Sequence, residues 1–438
     1  MSDELLGMVM MGALLIGIFV GFPIAFTLLI LALGFGYVGL GLRVFDLMYI
    51  QTVSLMREEV LAAVPLFIFM GYMVEQAGLM ERLFTAFRFI LAPLRGSLYL
   101  GVILTATMFA MATGIVGASV TVMGIMAAPV MIKSGYDVRL SAGAITAGGT
   151  LGILIPPSVM LVVMGPVMGV SVGKLYAAAF GPGFVLASLY IAYSLIRSYL
   201  QPHLGPPLAA EERSTSPWET LREFCFGMLP LAALILATLG SILAGLATPT
   251  EAAAIGALGA VALTCFYGKM DRARLREATS RTLATSSMIL FLVVASNIFG
   301  SVFVHLGSAT LVTEKLLALP LPPWGMLLLL MAIIFLLGWP LEWPAIILIF
   351  LPIFLPVVQA LKFDLLWFGM LTAVNLQTAF LSPPVAMSAY YLKAVVPQWE
   401  LVEIYKGMMQ FMVLQLVGLA MVMLFPQIAL WLPGVVFK

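Results

Sequence analysis

Residues 148–161 read GGTLGILIPPSVML, and residues 375–388 read NLQTAFLSPPVAMS. Each stretch lies inside a long apolar run, and each carries two adjacent prolines. A proline inside a helix removes a backbone donor and clashes with the preceding turn, at a cost of about 3 kcal/mol. Two in a row predict a broken helix. The pairs Pro156-Pro157 and Pro383-Pro384 are 227 residues apart. At the same offset Pro129 meets Pro356 and Asp137 meets Asp364, so the windows 113–161 and 340–388 align without a gap. Upstream, Gly71 and Gly78 echo Gly300 and Gly307. A match of several prolines and an aspartate, in one order and at one offset, marks an internal repeat.

The surroundings of these stretches are those of a membrane. The chain is 63% hydrophobic and 9% charged, against roughly 25% charged residues in soluble proteins. Its mean hydropathy is +1.13. Apolar segments fall near 5–20, 23–41, 60–79, 98–132, 141–170, 175–196, 224–247, 253–268, 284–306, 325–361, 365–392 and 405–432. Runs of about 20 residues span the hydrocarbon core, so the sequence predicts an all-α polytopic membrane protein. The first run, from Leu5 to Leu40, has no basic n-region and reads as two retained helices turning near Gly21-Phe22-Pro23. A net charge of +1 gives no reason to expect nucleic acid as a partner. Cys225 and Cys265 read as buried small hydrophobes, His203 and His305 lack metal-site spacing, and no GxxxxGK[ST] motif occurs. The polar stretches 201–223 and 268–281 read as loops.

The segments at 98–132 and 325–361 would overshoot a bilayer as straight helices, since about 35 residues make roughly 50 Å of helix. Each has a break near its middle, ATGIVGAS at 112–119 and GWPLEWPA at 338–345. They read as re-entrant hairpins. The expected division is N-terminal scaffold helices at 1–59 and a first repeat at 60–200. A polar loop with connecting scaffold helices follows at 201–282, then a second repeat at 283–438. With hairpins counted as non-crossing, an odd number of crossings separates 60–79 from 284–306, so the repeats are inverted. That topology places 15 Lys and Arg on one side and 6 on the other. The positive-inside rule makes the first side cytoplasmic.

Irregular backbone at membrane depth survives only where protein buries it or where it lines a cavity. Inverted repeats with broken helices near the midplane are the layout of secondary transporters. There, half-helix N-termini suit anions and freed carbonyls suit cations. The candidate substrate-binding residues are therefore Gly148, Pro156, Pro157 and Ser158 in the first repeat, with Asn375, Gln377, Pro383 and Pro384 in the second. Thr113, Ser119, Thr150 and Ser158, and Asn375, Gln377, Thr378 and Ser382, are neutral oxygen donors suited to a hard cation. Glu342, between Trp339 and Trp343 at the second tip, fits a cation site, a partner contact or an interfacial role. Glu251, after Thr248-Pro249-Thr250, reads as a helix first-turn residue.

Several motifs resemble the large membrane subunit of tripartite ATP-independent periplasmic (TRAP) transporters. They are GFPIAF at 21–26, VPLFIFMGYMVEQAGL at 64–79, SGYD at 134–137, GGTLGILIPPSVMLVV at 148–163, ATPTEAAA at 247–254 and NLQTAFLSPPVAMSAYYL at 375–392. The tip TGIVGASVT at 113–121 is similar to the branch labelled mannitol/chloroaromatic. The resemblance implies a bacterial inner-membrane permease of elevator type. It would work with a small membrane subunit and a periplasmic substrate-binding protein, and import an organic acid with Na⁺ as coupling ion and no other cofactor. By position it implies Na⁺ sites near Thr113, Gly114, Gly149, Thr150, Glu342, Thr378 and Ser382, to which the residue pattern adds Ser119. Three other readings make different demands. A stand-alone sodium/carboxylate symporter needs no partner, a membrane scaffold has no transport site of its own, and an intramembrane enzyme needs a cluster that the two histidines do not form.

Overall fold

The computed structural model describes residues 2–208, 217–383 and 386–437, apart from the side chains of Ala110, Pro217 and Glu219. Its elements are helices throughout. Among the described residues, nine helices are long and apolar enough to cross a membrane, or ten with the bent pair Val138–Leu154 and Val159–Met168 taken as one span.

One order of elements occurs twice. The first unit runs from a helix at Ala63–Ala77 to a short amphipathic helix at Leu79–Ile90. A hairpin follows, with arms Ser97–Thr113 and Val116–Lys133, then a helix broken between Val138–Leu154 and Val159–Met168, then the long helix Val172–Leu200. The second unit repeats this with Arg272–His305, Ser308–Leu317, a hairpin of Pro323–Leu337 and Trp343–Ala360, a broken helix of Leu365–Phe380 and Met387–Val395, and Leu401–Leu424. The correspondence extends to single hydrogen bonds. The Asp137 carboxylate caps its helix by accepting from the Leu140 N–H at 2.8 Å, and Asp364 accepts from the Trp367 N–H at 2.8 Å. Gly78 and Gly307 precede the two short helices with φ of +72° and +78°. The expected two-repeat, hairpin and broken-helix architecture is the one observed.

Each broken helix is clasped by its own hairpin, and the units also cross. The second arm of the first hairpin packs on Met387–Val395, and the second arm of the second hairpin packs on Val159–Met168. Around this core stand Ala63–Ala77, Pro249–Phe266 and Arg272–His305, with Ile24–Leu40 and Arg43–Met56 against the last of these. The expected turn after Val20 is present, with Gly21 at φ +94°. Thr248 and Glu251 form a reciprocal capping box on Pro249–Phe266, as the first-turn reading of Glu251 required.

Four expectations need correction. The basic stretch 268–281 is not a loop, because a continuous helix starts at Arg272 and runs to His305. Arg, Ala, Leu and Glu are good helix formers, Asp271 caps the start by accepting from the Arg274 N–H at 2.7 Å, and Glu277 pairs with Arg281 at 2.6 Å. The polar stretch 201–223 likewise gives way to helix at Pro217. The segment 405–432 divides at Phe425-Pro426 into Leu401–Leu424 and Gln427–Val436. Cys225 is half-buried and Cys265 exposed, rather than both enclosed. Hydropathy also hid Arg43–Met56, Leu79–Ile90 and Ser308–Leu317, since short amphipathic helices lack the apolar length of a span.

The matched caps give a first prediction. Asp137→Ala and Asp364→Ala should each lower stability by about 1 kcal/mol. Thermal unfolding of the purified protein should show similar drops in Tm for the two.

Candidate functional site

The first helix break is packed on all sides. Leu154 ends the first half, Pro156 and Pro157 follow with a cis bond between them, and Ser158 caps the second half. Ser158 stitches the gap: its hydroxyl donates to the Ile153 carbonyl and accepts from the Leu161 N–H at 3.5 Å. Gly148 and Gly149 are where the hairpin arms close in. A Cβ on Gly148 would lie 3.1 Å from Ala106 Cβ on one arm, and one on Gly149 only 2.4 Å from Val120 Cγ2 on the other. The hairpin tip, Thr113-Gly114-Ile115, rests over the break. Gly114 has φ +61°, in the left-handed region that favours glycine. A Cβ there would lie 3.2 Å from the Pro157 carbonyl oxygen and 3.7 Å from that of Gly152. Freed carbonyls therefore face the tip.

The second break is built differently. After Leu365–Leu376 the chain tightens into a 3-10 turn at Gln377–Phe380. Asn375 donates from Nδ2 to the Met331 carbonyl at 2.7 Å, tying the broken helix to a hairpin arm, and among the described residues its Oδ1 has no hydrogen-bond partner. Gln377 is 0% exposed and, among the described residues, its Oε1 is likewise without a hydrogen-bond partner. Pro383 is exposed, and Pro384 lies outside the described residues.

Four candidate hydroxyls share one geometry. Thr113 donates to the Phe109 carbonyl at 3.2 Å, Thr150 to Ala147 at 2.8 Å, Thr378 to Asn375 at 2.7 Å and Ser382 to Thr378 at 2.7 Å. A hydroxyl whose proton is committed to its own helix offers its lone pairs to the surroundings, as a cation requires. Thr150 turns away from the hairpin, and its oxygen accepts from Gln415 Nε2 at 3.2 Å. The Ser119 hydroxyl is buried and, among the described residues, without a hydrogen-bond partner.

Both hairpin tips and both broken helices contribute to one cavity of about 150 Å³. Gly114 and Gly117 come from the first tip and Glu342 and Trp343 from the second. Ile153 and Val159 flank the first break, and Phe380 and Tyr391 the second. Thr285, Met288 and Ile289 line it from Arg272–His305, and Thr285 shares a hydrogen bond of 3.1 Å with the Tyr72 hydroxyl. Glu342 thus stands on the cavity wall. Among the described residues no hydrogen bond joins it to Thr378 or Ser382, which do not line the cavity.

Residues 11–428 match the family described as "Tripartite ATP-independent periplasmic transporter, DctM component". The chain belongs to this family. It is similar to the C4-dicarboxylate TRAP transporter large permease protein DctM of Pseudomonas aeruginosa, at 29% identity over 85% of this chain and 86% of that protein. It is also similar to the sialic acid TRAP transporter large permease protein SiaM of Vibrio cholerae, at 27% identity over 95% and 96%. The isethionate TRAP transporter permease protein DctMQ of Oleidesulfovibrio alaskensis is 28% identical over 85% of this chain and 58% of its own length. The crystal structure of the Alcanivorax borkumensis YdaH transporter shares the fold, with a TM-score of 0.64 at 17% identity over 89% and 88% of the two chains. This is a TRAP large permease, a multi-span protein of the bacterial inner membrane.

Three features of this permease gave no signal in the sequence. Gly152 supplies a carbonyl near the first tip, Gln415 reaches Thr150 from 265 residues away, and Tyr391 packs on Gly117, where a Cβ would lie 3.2 Å from its ring. Each arises from long-range packing of ordinary residue types.

The contact at Gly149 can be tested directly. Gly149→Ala should destabilise by about 1–3 kcal/mol, as overpacking does. Adding Val120→Ala should recover much of the loss, so the two substitutions read by thermal unfolding should be strongly non-additive.

Proposed function

We propose that this large permease carries an organic acid across the inner membrane, coupled to Na⁺, by an elevator movement of the hairpins and broken helices against the scaffold. The observation that carries the reading is the convergence of both tips and both helix breaks on one cavity, next to carbonyls and hydroxyl lone pairs that an apolar interior would otherwise leave unpaired. The first cation site would draw on Thr113, Gly114, Gly149 and the freed carbonyls around Pro157, with Ser119 and Thr150 close in sequence. The second would draw on Thr378, Ser382 and the free oxygens of Asn375 and Gln377. The substrate would lie between the tips, with Gly148, Pro156, Pro157, Ser158 and the Pro383-Pro384 turn shaping the breaks behind it. Glu342 would face the substrate and not a cation.

The proposed partners follow from the tripartite family and its relatives: a small membrane subunit, and a periplasmic binding protein that selects the acid. The reading is of a carrier and not of an enzyme. The scaffold seam is narrow where movement would occur. Gly71 faces the first tip so closely that a Cβ would lie 2.7 Å from the Thr113 carbonyl oxygen.

The test needs no substrate. Melting of the purified protein should be compared in Na⁺, K⁺ and choline at equal ionic strength. A ligand specific to the folded state adds about 2.7 kcal/mol at a hundredfold excess over Kd. A Na⁺-specific rise in Tm is expected, reduced in Thr113→Ala and Thr378→Ala. Equal melting in all three salts would count against cation coupling, and full transport by the permease without any binding protein would favour a stand-alone symporter.

A further inference from the structure

A second cavity, of about 340 Å³, shares no lining residue with the central one. Its volume falls within the roughly 300–1,000 Å³ of typical ligand pockets. Ser54 and Glu58, at and just after the end of Arg43–Met56, line it and are exposed, so the cavity is open at that end. Asn297 joins them from Arg272–His305. Among the described residues every other lining residue is apolar, and both repeats contribute: Val163 comes from Val159–Met168 and Leu348 from Trp343–Ala360.

The polar groups of this wall are mostly acceptors. Among the described residues no ion pair includes Glu58. Gln51, outside the cavity, orients the Asn297 amide. It donates from Nε2 to the Ser301 hydroxyl at 3.0 Å, and its Oε1 accepts from Asn297 Nδ2 at 3.1 Å. Asn297 Oδ1 is thereby turned away from Gln51. Pro166 and Pro352, both in the wall, have no N–H, so the carbonyls of Val162 and Leu348, four residues earlier, lose their α-helical donor. Among the described residues no Lys or Arg lines the cavity.

We propose that this cavity binds a primary ammonium carried on an apolar body. An ammonium brings three donors and no acceptor, which suits the Glu58 carboxylate, the Asn297 amide oxygen and the Ser54 hydroxyl. An anionic head would meet Glu58 with no cation to offset it. A bare metal ion would leave the aliphatic wall facing water, whereas an apolar body covers it. The occupant touches Arg43–Met56 and Arg272–His305 on one side and elements of both repeats on the other, so it ties them together in the arrangement seen here.

The experiment reads binding to the purified full chain by thermal shift, across concentration series of 4-phenylbutylamine and 4-phenylbutan-1-ol, which share one body and differ in the head. K⁺ buffer without Na⁺ at pH 7 keeps the proposed Na⁺ sites out of the measurement. The amine should bind at least about tenfold more tightly than the alcohol. Glu58→Gln, an exposed isosteric change, should remove that advantage, and Glu58→Asp should keep part of it. Equal affinity for amine and alcohol, or no binding of either, overturns the ammonium class. An advantage unchanged in Glu58→Gln overturns the placement at this cavity. Nanodiscs then separate the two sources of such a head. If phosphatidylethanolamine weakens the amine about tenfold relative to phosphatidylcholine, in the unaltered chain but not in Glu58→Gln, the site takes a lipid head group. If the two lipids give the same amine affinity, with the advantage over the alcohol intact, it takes a free amine.

Discussion

A backbone N–H or C=O cannot go unpaired in hydrocarbon without a cost of several kcal/mol, and the rest of this structure depends on that constraint. The chain breaks two helices inside an apolar protein and so creates groups that must be enclosed. The hairpins do the enclosing. Gly148 and Gly149 let the arms of the first hairpin close on the broken helix, and Gly114 lowers the tip onto the carbonyls of Gly152 and Pro157. Ser158 repairs part of the gap with its own hydroxyl. At the second break, Asn375 fastens the helix to a hairpin arm through the Met331 carbonyl.

The duplication explains why two such places exist in one chain. Asp137 and Asp364 start the two broken helices with the same capping bond, so the two breaks follow equivalent starts. Yet the breaks themselves have diverged. The first is bridged by the Ser158 hydroxyl between two α-helical halves, while the second passes through a 3-10 turn, where among the described residues the Asn375 and Gln377 amide oxygens have no hydrogen-bond partner. The crossing of each hairpin onto the other repeat's broken helix ties these elements into one unit.

Near the cavity, neighbouring helices meet that unit through a small residue and a hydroxyl. Gly71 comes against the Thr113 backbone, and Thr285 offers its hydroxyl to the cavity. The charged groups lie to one side, where Arg281 pairs with Glu75 at 3.6 Å and with Glu277 at 2.6 Å. Contacts of this kind work by close packing, and among the described residues no Lys or Arg lines the cavity.

Much of the architecture was legible from residue pattern alone. Apolar length predicts the spans, paired prolines predict the breaks, and the common offset predicts the repeat, because helix length and proline sterics are local or one-dimensional properties. Local chemistry also revealed the Thr248–Glu251 capping box. Where pattern failed, a longer-range or averaged property was at work. The basic stretch before Ser280 is helical because its charges pair along the helix face, which hydropathy does not register. The direction each candidate faces was decided only in three dimensions. Thr150 turns to Gln415, Gly149 to the hairpin, and Glu342 to the cavity, where it stands apart from Thr378 and Ser382. Sequence determined which residues could supply oxygen at a helix break. Tertiary packing decided which of them share a space, since neighbours on a helix point in different directions and the walls of a cavity come from segments hundreds of residues apart.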